Sequence, residues 1–228
     1  MKAFYFKKLS ASEEEVIIDD DQVHHFTHVL RGGLGESVLV LNGKGLSCYG
    51  VVSSIKKKSI KLVLNDFSET ERVIKSEIAV GIPKKEYLMS VLRSCTEIGV
   101  KKVHLIKMDH SPSKTPPDDK IEKVMVSALI QCNSIHLPEI AHYSSLSEFF
   151  EKVDHEHIVV FSTELKESIG FKASSGVNTC AIIGPEGGFS ELELNLCQAT
   201  EKVNLVSLSN PIMKTITAVP FCLGYLQS

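Results

Sequence analysis

Between an apolar run ending at Ile182-Ile183 and a segment of helical character opening at Glu191 stand Gly184-Pro185-Glu186-Gly187-Gly188-Phe189-Ser190. Three glycines in five positions let the main chain approach a bound molecule closely and adopt φ > 0. A loop leaving the carboxyl end of a buried strand is where open α/β sheets bind ligands. Ser190 and Glu193 have the spacing of a capping box, which would start the next helix. What the loop omits narrows the ligand. It has no Gly-Lys-Ser/Thr ending, so it is not a Walker phosphate cradle. Nor does it have the Gly-x-Gly-x-x-Gly spacing of a dinucleotide turn. Glu186 would repel a polyphosphate, so a neutral or cationic ligand is expected.

A second polar segment, Leu208-Ser209-Asn210-Pro211-Ile212-Met213-Lys214-Thr215-Ile216-Thr217-Ala218, follows the next strand candidate and opens the last helix candidate. Lys214 is a cation that could stabilise an anion developing on a substrate, and Arg93 is a second such group. Two other groupings lead nowhere. His24, His25 and His28 lie on one predicted helix, with His24 and His28 one turn apart. No cysteine or acidic residue has ligand spacing to them and the Glu of a His-Glu-x-x-His site is missing, so no metal is expected. Those histidines read as structural or as facing a nucleic acid. Ser190 and Ser209 have no Gly-x-Ser-x-Gly setting, which argues against a serine hydrolase.

The elements that must position these residues fall into two textures. Residues 1–70 alternate or are β-rich at Ala3–Phe6, Glu15–Ile18, Ser37–Asn42, Ser47–Ser54 and Ser59–Asn65. Asn42-Gly43 marks a hairpin turn, and a helix is expected from Asp21 to Arg31, capped by Asp20 or Asp21. Five strands and one helix predict a small barrel, with Ser68–Arg72 as a linker. From residue 73 to 228 strands and helices alternate. Strands are predicted at Glu77–Ile82, Lys102–Lys107, His157–Phe161, Asn178–Ile183 and Val203–Leu208. Helices are predicted at Lys85–Ile98, Asp118–Cys132, Ser145–Val153, Ser190–Thr200 and Lys214–Leu226. Such alternation predicts an α/β domain with a parallel sheet covered on both faces.

Bulk properties exclude several classes. No apolar run approaches the roughly 20 residues that span a bilayer, and the first residues, Met1 to Lys8, have no signal-peptide core. Six cysteines without a Cys-x-x-Cys pair read as reduced thiols, which predicts a cytoplasmic protein. The net charge of −3 shows that the average surface attracts no polyanion, so any RNA contact needs a local basic face. Candidates are Arg31, the run Lys56-Lys57-Lys58, and the lysine-rich stretch between residues 71 and 130.

The Gly184–Ser190 loop resembles the signature of the RsmE-type ribosomal RNA methyltransferases, members of the knotted SPOUT class. Three further blocks follow the family in order. His25-Phe26-Thr27-His28-Val29-Leu30-Arg31 matches His-x-x-x-Val-Leu-Arg, and Arg93 to Val100 matches Lys-Ala-Thr-Glu-Leu-Gly-Val. Leu208 to Ala218 matches Leu-Gly-x-Arg-Ile-Leu-Arg-Thr-Glu-Thr-Ala. The four blocks span nearly the whole chain.

The resemblance implies a PUA-like RNA-binding β-barrel over 1–70 and a SPOUT methyltransferase domain with a C-terminal trefoil knot over 73–228. It implies a homodimer that uses S-adenosylmethionine to methylate N3 of one uridine in 16S rRNA of the small ribosomal subunit. Main-chain groups of Gly184, Gly187, Leu208 and Met213 would bind the cofactor, with Ile182, Ile212 and Ala218 as apolar walls. Pro185, Gly188, Ser209 and Thr215 complete the two loops. Glu164 would reach the ribose or the sulfonium, while Glu186 would either favour the sulfonium or cap a neighbouring helix. Lys214 and Arg93 are the expected catalytic cations, and Arg31 with Lys56, Lys57 and Lys58 the RNA contacts. The chain departs from the family at Ser209 for Gly, Pro211 for Arg, Lys214 for Arg and Ile216 for Glu. Lysine keeps the charge and loses the planar fork. These departures motivate one alternative, a non-catalytic RNA-binding protein on the same scaffold.

Overall fold

The computed structural model describes residues 1–19, 21–163, 179–208 and 212–227. The chain divides into two compact units, Met1–Arg72 with Met125–Leu137, and Val73–Val124 with Pro138–Ser228.

The first unit is a five-stranded sheet in the order β1 (Ala3–Tyr5), β3 (Ser37–Leu41), β4 (Leu46–Lys56), β5 (Ser59–Glu69), β2 (Glu15–Asp19). All pairs are antiparallel except β1 with β3. Alternation along β2 and along the first half of β5 turns one face inward, as period-2 patterning requires. Phe4, Val16, Ile18, Val38, Val40, Ile60 and Leu62 form that core. Edge strand β1 is tied by a side chain to the helical turn that follows β2. Gln22 Nε2 donates to the Tyr5 carbonyl at 3.0 Å, and its Oε1 accepts from the Tyr5 N–H at 2.8 Å. Residues 125–137 bring Leu129, Ile130, Ile135 and Leu137 against Ala3, Tyr5, Leu39 and Leu41.

The helix expected from Asp21 to Arg31 is a single α turn, α1 (Asp21–His24), followed by a π-helical turn at His25–Val29. The wider turn lets Phe26 point into the core, 5.0 Å from the Phe4 ring. Asp20, one of the two expected caps, lies outside the described residues. Strand β5 runs on to Glu69, taking in the first two residues of the polar stretch read as a linker. Its partner β4 supplies main-chain groups there, which side-chain polarity cannot reveal.

The second unit carries a six-stranded, wholly parallel sheet in the order β11 (Val203–Ser207), β9 (His157–Ser162), β10 (Thr179–Ile183), β6 (Glu77–Gly81), β7 (Lys102–Ile106), β8 (Glu139–Tyr143). Central strands β6 and β10 are buried at every position and, after their first residues Glu77 and Thr179, read as apolar runs. Edge strand β8 was not expected from sequence, because Glu139-Ile140-Ala141-His142-Tyr143 is half exposed and shows no clean alternation. Helices α2 (Lys85–Ile98), α3 (Asp118–Cys132), α4 (Leu146–Lys152), α5 (Glu191–Ala199) and α6 (Thr215–Gln227) follow the predicted order. Helix α6 packs against α2 and β10 and contains Pro220. The division between the units falls within α3. A knot cannot be traced among the described residues, which omit 164–178 and 209–211.

Candidate functional site

Parallel pairing brings the carboxyl ends of all six strands to one edge of the second unit's sheet. Chain order reverses there: β6, β7 and β8 run outward on one side, while β10, β9 and β11 lie on the other. Such a switch point opens a crevice beyond the strand ends. Gly184–Ser190 leaves β10, and Leu208 follows β11, its N–H donating to the Ser162 carbonyl at the end of β9 (2.9 Å). Only β9 separates the two segments in the sheet, so strand spacing sets them about 10 Å apart.

The Gly184–Ser190 loop is held by its neighbours rather than by bulk. Gly188 has φ +71°, which a β-branched residue does not tolerate, and its N–H donates to the Pro185 carbonyl at 2.9 Å. A Cβ on Gly187 would lie 2.8 Å from His110 Cβ, so only glycine lets the loop pass there. The Lys84 N–H, at the N-cap of α2, donates to both Glu186 oxygens at 3.0 and 3.3 Å. Glu186 therefore serves the positive end of α2, the second of the two roles open to it in the sequence. Ser190 and Glu193 form the expected capping box, with the Glu193 N–H on Ser190 Oγ at 3.3 Å and the Ser190 N–H on Glu193 Oε2 at 2.8 Å. The other oxygen, Oε1, accepts from the Asp109 N–H at 3.0 Å, tying α5 to the segment after β7.

The remaining expected residues fall in several places. Ile182 is buried in β10, and Leu208, Thr215 and Ala218 are buried in and after β11. Ile212 and Lys214 are exposed and Met213 half-buried at the start of α6. The Lys214 carbonyl accepts from the N–H groups of Thr217 and Ala218 at 2.8 and 2.9 Å, so this residue begins the helix. Glu164 and Ser209 lie outside the described residues. Arg93 is exposed on α2, about 12 Å along the axis from that helix's first turn. Arg31, exposed with φ 52°, and Lys56 to Lys58, exposed at the β4–β5 hairpin, belong to the first unit.

Sequence reading missed Gly81, Lys84, Met108, Asp109 and His110. All five stand at or just after the ends of β6 and β7, so the rule that singled out the loop after β10 applied to them too. A cavity of about 470 Å³ opens beside them, lined by Lys107, Met108, Asp109, Leu192 and Glu193 among others. None of the expected cofactor residues lines it. A second recess, about 240 Å³, is lined by Lys85, Lys114, Thr115, Pro116, Pro117 and Lys120. Three ammonium groups around one hollow suit an anion. Burial pushes the Cys95, Cys197 and Cys222 thiols up to about 12, which takes these three out of contention as nucleophiles.

A parallel six-stranded sheet with a glycine-rich loop at its switch point, together with a separate five-stranded β-sheet unit, defines a two-unit α/β protein with a ligand crevice beyond its strand ends. The model of the RNA methyltransferase domain matches residues 69–227 and that of the RNA methyltransferase PUA domain residues 18–65. The chain belongs to this RNA methyltransferase family. It is 21% identical over 215 residues to the ribosomal RNA small subunit methyltransferase E of Rickettsia conorii, covering 92% of this chain and 88% of that one. The Bacillus subtilis protein of the same name is 23% identical, with 98% and 95% covered. The crystal structure of ribosomal RNA small subunit methyltransferase E from Neisseria gonorrhoeae, bound to S-adenosyl methionine, superposes with a TM-score of 0.86 at 21% identity, covering 100% and 97%.

Proposed function

We propose that the protein transfers a methyl group from S-adenosylmethionine to N3 of a uridine in 16S rRNA of the small ribosomal subunit, in the cytoplasm. One observation carries this reading: the two signature segments, separated in sequence by α5 and β11, leave strand ends that flank β9 on one side of the switch point. The donor set suits the cofactor. The Gly184–Ser190 loop offers main-chain groups and no cationic side chain, and its one carboxylate is occupied by α2. A zwitterion with an added positive charge fits such a loop better than a polyphosphate does. Gly184, Gly187, Leu208 and Met213 would hold it through the main chain, against apolar Ile182 and Ala218.

When bound, S-adenosylmethionine supplies an electrophilic methyl group. The protein's own part is to position the uracil and manage charge. Uracil N3 is mostly protonated at neutral pH, so its proton must leave before the lone pair can attack in line. Lys214 stands exposed at the start of α6, free to turn its ammonium toward a carbonyl oxygen of the uracil anion. The first unit, with Arg31 and Lys56–Lys58, would dock RNA phosphates, as would the lysine-lined recess of the second unit.

Calorimetric titration with S-adenosylmethionine, followed by transfer to purified small subunits and mass spectrometry of the digested RNA, tests this reading. N3-methyluridine is the expected product, and a methyl on any other atom overturns the assignment. Cofactor binding without transfer would favour the non-catalytic reading, which Lys214 and Ile216 in place of the family's Arg and Glu motivate. We also propose a homodimer through α6. Phe221 and Tyr225, one turn apart, are 53% and 36% exposed on a strongly apolar helix. Light scattering that finds only monomer at micromolar concentration would remove this contact.

A further inference from the structure

At the opposite, amino edge of the parallel sheet lies a buried polar cluster for which the methyltransferase reading has no use. Glu77, the first residue of β6, is 5% exposed. Its Oε2 accepts from His104 Nε2 at 2.7 Å and His155 Nε2 at 3.1 Å, and its Oε1 from Lys101 Nζ at 3.0 Å. The register places Cys180 of β10 opposite Glu77, and His104 of β7 opposite Ala79. Period-2 alternation then turns all three side chains to one face. His104, His155 and Cys180 are buried, and each offers a ligand atom within 4.8 Å of the others. Among the described residues His155 Nδ1 has no hydrogen-bond partner, although the side chain is 95% removed from solvent. Phe149 closes one side, edge-on to His104 at 5.2 Å.

Stability does not explain this arrangement. Replacing buried ionic groups with well-packed apolar ones is often neutral or favourable. An orphaned buried nitrogen adds a further cost, the desolvation of a polar atom with nothing in return.

We infer that His104, His155 and Cys180, with Glu77 as a fourth donor, form a binding site for a divalent transition-metal ion of the zinc class. Two imidazole nitrogens, one sulfur and one carboxylate oxygen are the donor types of tetrahedral zinc. Bonds of about 2.0–2.3 Å would set ligand atoms about 3.3–3.6 Å apart, which draws the histidine nitrogens and the Cys180 sulfur together and lengthens the 2.7 and 3.1 Å contacts of Glu77 Oε2. Magnesium and calcium prefer all-oxygen shells and do not suit it. The Tyr143 hydroxyl lies 3.0 Å from His104 Nδ1, where it can accept the Nδ1–H and leave Nε2 free for the ion. On the solvent side of the cluster stand Lys101, 43% exposed, and the exposed carboxylates Asp154 and Glu156 flanking His155. Uptake displaces the protons on the Cys180 sulfur and on the histidine nitrogens into solvent. The ion would clamp β6, β7, β10 and the segment before β9 at the edge away from the signature loops.

Full-length protein, stripped with chelator, is titrated with cobalt(II) and then with zinc. The expected result is one cobalt per chain, with visible bands of a tetrahedral site and a near-ultraviolet thiolate charge-transfer band, both abolished by zinc. Zinc should also raise the melting temperature. Cys180→Ser should lose the thiolate band, and Tyr143→Phe should weaken binding by about tenfold. His24→Ala/His28→Ala, which removes the exposed stacked pair, should change neither. Absence of tetrahedral bands in the unaltered protein overturns the proposal. So does an undiminished thiolate band in Cys180→Ser.

Discussion

Glu186 and Glu193 stand seven residues apart, and both direct their carboxylates at main-chain N–H groups of neighbouring elements. The loop between β10 and α5 is thereby fixed from two sides, and the only cation of the two signature segments left exposed is Lys214. If Lys214 stabilises charge that appears mainly in the transition state, Lys214→Ala should lower kcat by about 10²–10³-fold and leave cofactor affinity nearly unchanged. Lys214→Arg should retain or exceed the activity of the native chain. Single-turnover transfer on small subunits measures both, and unchanged turnover in Lys214→Ala would take the residue out of the mechanism. The sequence disclosed Lys214 and the glycine loop because residue type and spacing alone mark them. It left both roles of Glu186 open, and it gave no hint of Asp109 or His110, because their roles come from through-space packing of the β7 end against α5 and the loop. The Glu77 cluster was invisible for the same reason: its members lie on four separate stretches of chain.

At the scale of elements, the capping box at Ser190 carries a load beyond its own helix. Ser190→Ala removes one accepted hydrogen bond and should cost about 1 kcal/mol. Glu193 is buried, and its two oxygens serve both the Ser190 and Asp109 N–H groups. Glu193→Ala should therefore cost more, about 1–3 kcal/mol, and also reduce affinity for S-adenosylmethionine by loosening the loop. Urea unfolding distinguishes the two; equal losses would mean that the link to Asp109 contributes nothing. Elements with strong periodicity and clear stops were legible in the sequence. Helices α2 and α3 have the predicted limits, and β6, β7 and β11 end within one residue of prediction. Elements formed by pairing rather than by pattern were not. Strand β8 exists because β7 offers it a ladder, and the π turn after α1 exists because Phe26 must reach Phe4.

For the molecule as a whole, a net charge of −3 must be reconciled with a polyanionic substrate. The answer lies in local placement. Lys56 ends β4 and Lys57-Lys58 form the hairpin tip, where three exposed cations are presented on a rigid antiparallel pair. Deleting residues 1–70 is a poor test of their role. Residues 125–137 pack Leu129 and its neighbours on β1 and β3, and would lose that cover. Charge reversal leaves the sheet intact, because neither Lys57 nor Lys58 contributes to the core. Each phosphate neutralised adds about 0.7–0.9 to the slope of log affinity against log salt. Lys57→Glu with Lys58→Glu should therefore flatten the salt dependence of small-subunit binding by about 1.4–1.8 units, and weaken binding most at low salt. Affinity for S-adenosylmethionine should not change, since the reversal touches only the first unit. An unaltered slope would assign the hairpin a solvated surface and shift the RNA contact to Arg31 or to the recess formed by Lys85, Lys114 and Lys120. The same titration on Lys114→Glu then decides whether that recess binds a phosphate, by the presence or absence of a smaller, single-contact change in slope.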